Sequence, residues 1–343
     1  MTSIETATKA SNKTILFIGG SGAISHASVA RAVAQGHQVT VLNRCQSSLR
    51  PMPADIETLI ADANDHQAIR KVIGNRDFDV VAQFRGFSPE HVVKDVELFR
   101  DRTGQYVFIS SASAYQKPLK HHPITESTPL VNPFWQYSRD KIAAERVLTD
   151  AMRDGFPVTI VRPSHTYDNT LIPTTGGWTD VARMREAKPV IIHGDGTTQW
   201  TLTHTNDFAV GFTGLLANPL AIGDTFNIVG DYAPDWNSIY TYLAQAAGVP
   251  NPEFVHVASE TIARVAPEQG PGLLGDKAYS AVFDNRKLKA LVPEFGTTIR
   301  YDDAAREQIA WYDANPAQQK RNADWDVASD RLAAYAKGIG AVA

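Results

Sequence analysis

The chain reads as an α/β protein, a doubly wound parallel sheet carrying a smaller mixed C-terminal lobe, and three observations predict this. From Thr14 onward, short and nearly continuous apolar runs alternate with helical patterns, as strands buried on both faces and joined by crossover helices do. The first of these runs leads directly through a glycine turn into an Ala-rich helix. The alternation is regular through Arg162, then loosens after Pro163 into Thr-, Gly- and Pro-rich segments such as 172–178 and 193–198, which places a second lobe there.

In order, strands are predicted over 14–18, 38–42, 56–60, 78–83, 106–110 and 158–162, with helices over 23–35, 65–73, 90–99 and 137–152. A helix over 207–217 and a strand over 225–228 look able to return to the first domain. The expected division is a flexible N-terminus over 1–12, a dinucleotide-binding domain over 13–163 rejoined by 203–230, and a substrate lobe from 164–202 and 231–343. No repeat of solenoid length is present.

With 343 residues, 43% of them hydrophobic and 20% charged, the chain is long enough for a large core, and its composition excludes fibrous and low-complexity classes. A formal charge of -4 supplies no basic balance toward nucleic acid. Cys45 is the single cysteine, which removes intramolecular disulfides and fits a reducing compartment. The start lacks a secretory apolar stretch, and no run approaches the ~18 apolar residues of a membrane span. The expectation is a cytoplasmic protein with a small-molecule partner, no membrane and no nucleic acid.

The segment Gly19-Gly20-Ser21-Gly22-Ala23-Ile24-Ser25 turns from the first strand into the first helix. Glycines permit the turn and let a pyrophosphate approach the backbone, while the helix N-terminus offers free N–H groups and a positive dipole end. Gly19 and Gly22 hold the first two positions of the spaced glycine motif, and Ser25 stands at the third, where a small residue lets helix and strand pack closely. Ser21, Ala23 and Ile24 belong to the same cradle. After the second strand, Asn43-Arg44 replaces the usual ribose-binding carboxylate. Arg44 is suited to a 2′-phosphate, so NADP(H) is favoured over NAD(H). Asp62, after the third strand, is placed for the adenine amino group, and these features together describe a Rossmann-type domain.

Tyr137 and Lys141 stand four apart at the start of a predicted helix, one turn above each other on one face. Bringing a phenol from pKa ~10 to about 7 takes roughly 4 kcal/mol, and one ammonium at ~5 Å in an effective dielectric of ~20 supplies about 3 kcal/mol of it. Such a tyrosine can take an alcohol proton as hydride leaves for a nicotinamide, or return it. Ser111, ending the fifth strand, would hydrogen-bond the same substrate oxygen.

With these residues in this order, the chain resembles the short-chain dehydrogenase/reductase superfamily, in its extended and atypical branches of epimerases, dehydratases and reductases. The resemblance covers about 14–230 and is carried by Gly19 to Ile24, Val107 to Tyr115, Tyr137 to Lys141, and Val161 to Ser164. It implies Tyr137 as acid/base, Lys141 and Pro163 at the nicotinamide ribose and ring, and a homodimer through a bundle that includes the Tyr137 helix. Dehydratases of this kind carry acidic residues where Ala112 and Ser113 stand. Nucleotide-sugar epimerases usually have asparagine at His165 and a phosphate-binding arginine at Trp200, so the chain departs from both patterns. The stretch 193–207 looks more like the atypical branch that includes chloroplast stem-loop-binding proteins.

Arg85, beyond the fourth strand, is a candidate substrate clamp, and Ser113, Tyr115, His165 and Trp200 are candidate pocket residues, with Tyr167 and Trp178 as further aromatics. His204 and Asp207 lack a third ligand and read as loop-to-helix anchors rather than a metal pair. The expected function is NAD(P)-dependent oxidation, reduction or epimerisation at a secondary alcohol or ketone of a polyhydroxylated, sugar-like molecule. The rival is a non-catalytic dinucleotide-sensing or RNA-binding protein of the same fold.

Overall fold

A computed structural model describes residues 12–45, 49–54 and 56–339. The predicted flexible start falls, apart from Asn12, outside these residues. The first domain runs β1 (Thr14–Ile18), α1 (Ala23–Ala34), β2 (Gln38–Asn43), β3 (Glu57–Ile60), α2 (His66–Ile73), β4 (Phe78–Gln83), α3 (Pro89–Phe99), β5 (Thr103–Ile109), α4 (Gln136–Arg153) and β6 (Val158–Pro163). The chain continues through β7 (His165–Tyr167), α5 (Trp178–Arg185), β8 (Val190–His193), β9 (Leu202–His204), α6 (Thr205–Leu215) and β10 (Asp224–Ile228), then α7 (Trp236–Ala246), β11 (Phe254–Val257) and α8 (Ser259–Val265).

A seven-stranded sheet has the order β10-β6-β5-β4-β1-β2-β3, and every pairing in it is parallel. Alternate residues of β1 serve opposite faces. Ile15 and Phe17 join a cluster with Val29 of α1 and Phe208 and Phe212 of α6. Leu16 and Ile18 join Ile69 of α2, Val92 of α3 and Leu148 of α4. Burial on both faces explains the unbroken apolar runs, each large side chain contributing about 1.5–3 kcal/mol. Because β2 and β4 flank β1 on opposite sides, the strand order reverses there, and the crevice beyond their C-terminal ends is where such sheets bind ligands.

β5 begins three residues before its predicted start. Its polar opening, Thr103-Gly104-Gln105, conceals a strand whose buried Gln105 amide donates to Thr159 Oγ1 at 2.9 Å and Leu215 O at 3.0 Å and accepts from Ala217 N at 2.6 Å. α6 likewise starts before the predicted helix because His204 caps it, Nδ1 accepting from Asn206 N at 3.2 Å. Beyond the sheet, Trp178, Trp200, Trp236, Tyr240, Tyr301 and Tyr312 build a separate aromatic core. The two short parallel pairs β7–β9 and β8–β11 lie in this region. Among the described residues, no helix is long and apolar enough to cross a membrane.

Candidate active site

The glycine turn occupies the switch point beside β1. Gly19 has φ +88° and donates its N–H to Leu42 O at 2.9 Å. A Cβ on Gly20 would lie 2.6 Å from Val41 Cγ1, so the one position needs glycine for its backbone and the other for close approach. Gly22 caps α1 and donates its N–H to Ser25 Oγ at 2.9 Å, while the Ser25 hydroxyl donates back to Gly22 O at 3.3 Å. Spacing indicated only small size at Ser25; the structure adds a hydrogen-bonded closure of the turn.

The first turn of α1, which begins at Ala23, carries no carboxylate, so its amides and positive end face an open cavity of about 270 Å³ unopposed. Gly19, Ser21, Gly22, Ile24, Asn43 and Arg44 are among its lining residues. This cradle fits a dinucleotide, with the pyrophosphate at the glycines and the adenosine toward Asn43 and Arg44.

Arg44 lies 3.9 Å from the Asp62 carboxylate. Asp62 accepts from Asn64 N at 2.9 Å, a bond that holds its carboxyl below the usual range, with help from the Arg44 charge. The two expected adenosine contacts thus sit on one rim of the groove. Arg85 lines this same groove; a Cβ on Gly19 would lie 2.3 Å from its Cγ, its guanidinium rests 4.7 Å from the Phe87 ring, and its charge acts on Lys141. The strand end turns the side chain back over the glycine loop.

A second cavity, about 330 Å³, is lined by Ser111, Ser113, Tyr137, Pro163, His165 and Trp200 among others. Ser111 Oγ and Ser113 Oγ are 2.9 Å apart, and Ser138 donates to Ser113 Oγ at 2.8 Å. Burial pushes the Tyr137 phenol up, a hydrogen bond with Ser111 opposes this, and the Asp276 charge adds to it. Lys141 is 1% exposed and donates to Gly86 O and Ile109 O, both at 2.7 Å. Its ammonium stands 5.8 Å from the Tyr137 ring and 4.8 Å from the Phe108 ring. Burial brings Lys141 down to about 7, against the pull of Glu145.

A fully charged lysine at this spacing would lower the phenol. In the folded protein desolvation acts on both partners, raising the phenol and lowering the ammonium.

His165 Nδ1 accepts from Trp200 Nε1 at 3.0 Å, and burial takes His165 down to about 3. It is therefore a neutral wall of the cavity, not a proton donor near neutrality. Tyr115 is a correction. It is fully buried, donates to Asn227 Oδ1 at 2.6 Å and accepts from Arg162 at 3.0 Å, so it belongs to a core network behind the cavity. Tyr167 and Trp178 are also core. Pro163, expected at the cofactor, lines the second cavity. Asp207 accepts from Thr298 N and Ile299 N, both at 3.1 Å, as an anchor does.

Spacing missed Lys117, Asp276 and Lys277, which also line the second cavity; for Asp276 and Lys277 the one sequence signal is charge beside a Gly- and Leu-rich stretch. It also missed His66, His91 and Asp95, whose ligating atoms lie within 4.8 Å of one another. Asp95 is already engaged by His66 at 2.9 Å, Gln83 at 2.7 Å and Tyr106 at 2.6 Å. Gln83 in turn accepts from Arg85 N at 2.7 Å, so this buried network fixes the loop after β4.

Residues 15–229 match the NAD dependent epimerase/dehydratase family. The chain belongs to that family. It is 28% identical over 260 residues to the chloroplast stem-loop binding protein of 41 kDa b of Arabidopsis thaliana, covering 72% of this chain and 66% of that protein. It is 30% identical over 166 residues to a UDP-glucose 4-epimerase of Neisseria meningitidis, covering 41% of this chain and 49% of the epimerase. The chain thus spans from about half to just under two thirds of the length of these relatives.

Among solved structures, an epimerase from Methanothermobacter thermautotrophicus superposes with a TM-score of 0.74 at 16% identity, covering 90% of this chain and 94% of that one. UDP-glucose 4-epimerase from Bifidobacterium longum, solved with NAD+ and UDP, gives 0.66 at 20% identity, covering 89% and 99%. At these identities the likeness is one of fold, and it agrees with the doubly wound sheet. Membership in an NAD-dependent family also agrees with a dinucleotide at the glycine turn.

Proposed function

We propose that this epimerase/dehydratase family member oxidises, reduces or epimerises a secondary alcohol or ketone on a sugar-like, polyhydroxylated substrate, with Tyr137 as its acid/base. The observation that carries the reading is that Lys141 ties the two sites to one ammonium. It donates to Gly86 O, next to the groove-lining Arg85, and to Ile109 O, two residues before the chamber-lining Ser111.

When bound, the dinucleotide supplies the hydride acceptor or donor and a positive charge beside the phenol in its oxidised form. Ser111 orients the reacting oxygen. Burial favours the neutral phenol of Tyr137, which delivers its proton to a carbonyl oxygen in reduction and is left as phenolate; in oxidation that phenolate receives the hydroxyl proton. Lys141 holds the carbonyls of Gly86 and Ile109 and offers its charge to the phenolate and the nicotinamide ribose. The polar hydroxyl set Ser111, Ser113, Thr166 and Thr201, walled by Trp135 and Trp200, suits a sugar ring. Arg44 on the groove rim supports the further preference for NADP(H), and the family habit supports a homodimer.

Tyr137→Phe should lower turnover by about 10²–10⁴-fold while leaving dinucleotide affinity within twofold of wild type, read by nicotinamide absorbance and by calorimetry. A Phe variant that turns over normally rejects the assignment of Tyr137. A second reading, RNA binding, is favoured by the name of the Arabidopsis relative. Filter binding at two salt concentrations tests it, because phosphate contacts weaken steeply with salt.

A further inference from the structure

We propose that Lys277 is the subsite for an anionic group of the substrate, a carboxylate or a phosphate monoester, held at the mouth of the Tyr137 chamber. The proposal rests on reading that chamber as the substrate site. Among its described lining residues there is no arginine, and the cations are Lys117 and Lys277. Lys117 is already paired, its Nζ standing 3.1 Å from Asp276 Oδ1. Among the described residues, none gives the Lys277 ammonium a hydrogen bond or an ion pair, and the carboxylate whose charge acts on it, Asp276, is the one that Lys117 occupies. His165 beside it is neutral and offers no compensation.

Position and support distinguish this lysine from a solvated one. Lys277 lines both the chamber and an adjoining cleft of about 690 Å³, so it stands where a substrate leaves the chamber for solvent. Burial pushes its ammonium down and Asp276 only partly restores it. An uncompensated charge in such a place is costly, and an arriving anion removes the cost.

Lys277 ends a π-helical turn, Leu273–Lys277, a rare geometry that is frequent at functional sites. The turn is pinned to the catalytic segment by Asn132, whose Nδ2 donates to Gly275 O at 2.6 Å and to Ser113 O at 2.8 Å. A Cβ on Gly275 would lie 2.8 Å from Trp135 Cβ, so only glycine lets the turn approach this closely. The ammonium is therefore preorganised relative to Ser111 and Tyr137. A ring whose carbinol meets these two hydroxyls can direct a carboxylate or phosphate to Lys277.

The test titrates the full chain, with and without NAD+, with D-glucuronate, D-glucose 6-phosphate, D-glucose and inorganic phosphate, following tryptophan fluorescence from Trp135 and Trp200. The expected result is binding of at least one anionic sugar about tenfold or more tighter than D-glucose, the scale of a hydrogen bond to a charged group. The preferred anion tells carboxylate from phosphate. Lys277→Met should erase that preference and keep NAD+ affinity. Equal affinities for all the sugars, no binding of any anion, or an anion preference that survives Lys277→Met overturns the proposal. Loss of NAD+ binding in wild type, or a fully active Tyr137→Phe, instead strikes the proposed function and leaves the anion titration readable.

Discussion

The dinucleotide groove is built from strand ends and turns within 19–63, joined by Phe84 and Arg85, whereas the Tyr137 chamber gathers residues from 111–117, 135–137, 163–166, 200–201 and 276–283. The groove is a local object. Its glycine conformations, helix end and rim charges follow from neighbours in sequence. The chamber is a tertiary object, closed by a π-helical turn that must cross from the C-terminal region and be tied down on arrival. Damage to the groove should therefore show in dinucleotide binding alone, while damage to the chamber's ties should show in stability and in substrate binding together.

The largest effect is expected at Asn132. Its side chain serves Ser113 O and Gly275 O from a buried position, and its Oδ1 accepts from Phe134 N and Trp135 N, both at 3.1 Å. Asn132→Ala leaves several buried groups without partners, at about 1–3 kcal/mol for each buried group. Denaturant unfolding should show a loss of roughly 2–4 kcal/mol, and KM should rise while NAD+ affinity stays put. Unchanged KM would mean that the π-helical turn is not held by this residue.

The same contrast explains what spacing could read. The glycine turn, the strands of the sheet and the Tyr137–Lys141 pair were legible because each depends on periodicity or on separations of a few residues. Tyr115 was misplaced because strand-end position gives the neighbourhood of a side chain and not its direction. Arg85 folds back over Gly19, and Tyr115 turns inward to Asn227. Lys117, Asp276 and Lys277 were invisible as site residues, since only the packing of the C-terminal region brings 276–277 over Ser111. The direction of the Lys141 shift was also missed, because desolvation has no signature in spacing.

Lys141 is a buried ammonium tied to Gly86 O and Ile109 O, and its lowered pKa makes a prediction about pH. With a folded value of about 7 against an ordinary 10.5, the unfolded chain binds the proton more readily between these limits. Stability therefore rises with pH across that window, by up to about 1.4 kcal/mol per pH unit, and the contribution is flat below it. Lys141→Met should lose this slope in chemical denaturation series run from pH 6 to pH 10. A variant with the wild-type slope would place the ammonium outside the buried position described here.

The smallest effect belongs to the groove rim. Arg44 is more than half exposed, with Asp62 3.9 Å away, so its attraction for a 2′-phosphate is screened by solvent and shared with a carboxylate. Arg44→Ser should weaken NADP+ by about 3–10-fold, the scale of an exposed charge contact, and leave NAD+ nearly unchanged. Asp62→Asn should act in the opposite direction on NADP+, since it removes the competing charge. Both differences should shrink at high salt, and neither variant should alter anion binding in the chamber. NADP+ affinity that ignores Arg44 would assign the rim to the shared adenosine portion alone, and the groove would then read NAD+ by its glycines and backbone without discriminating the phosphate.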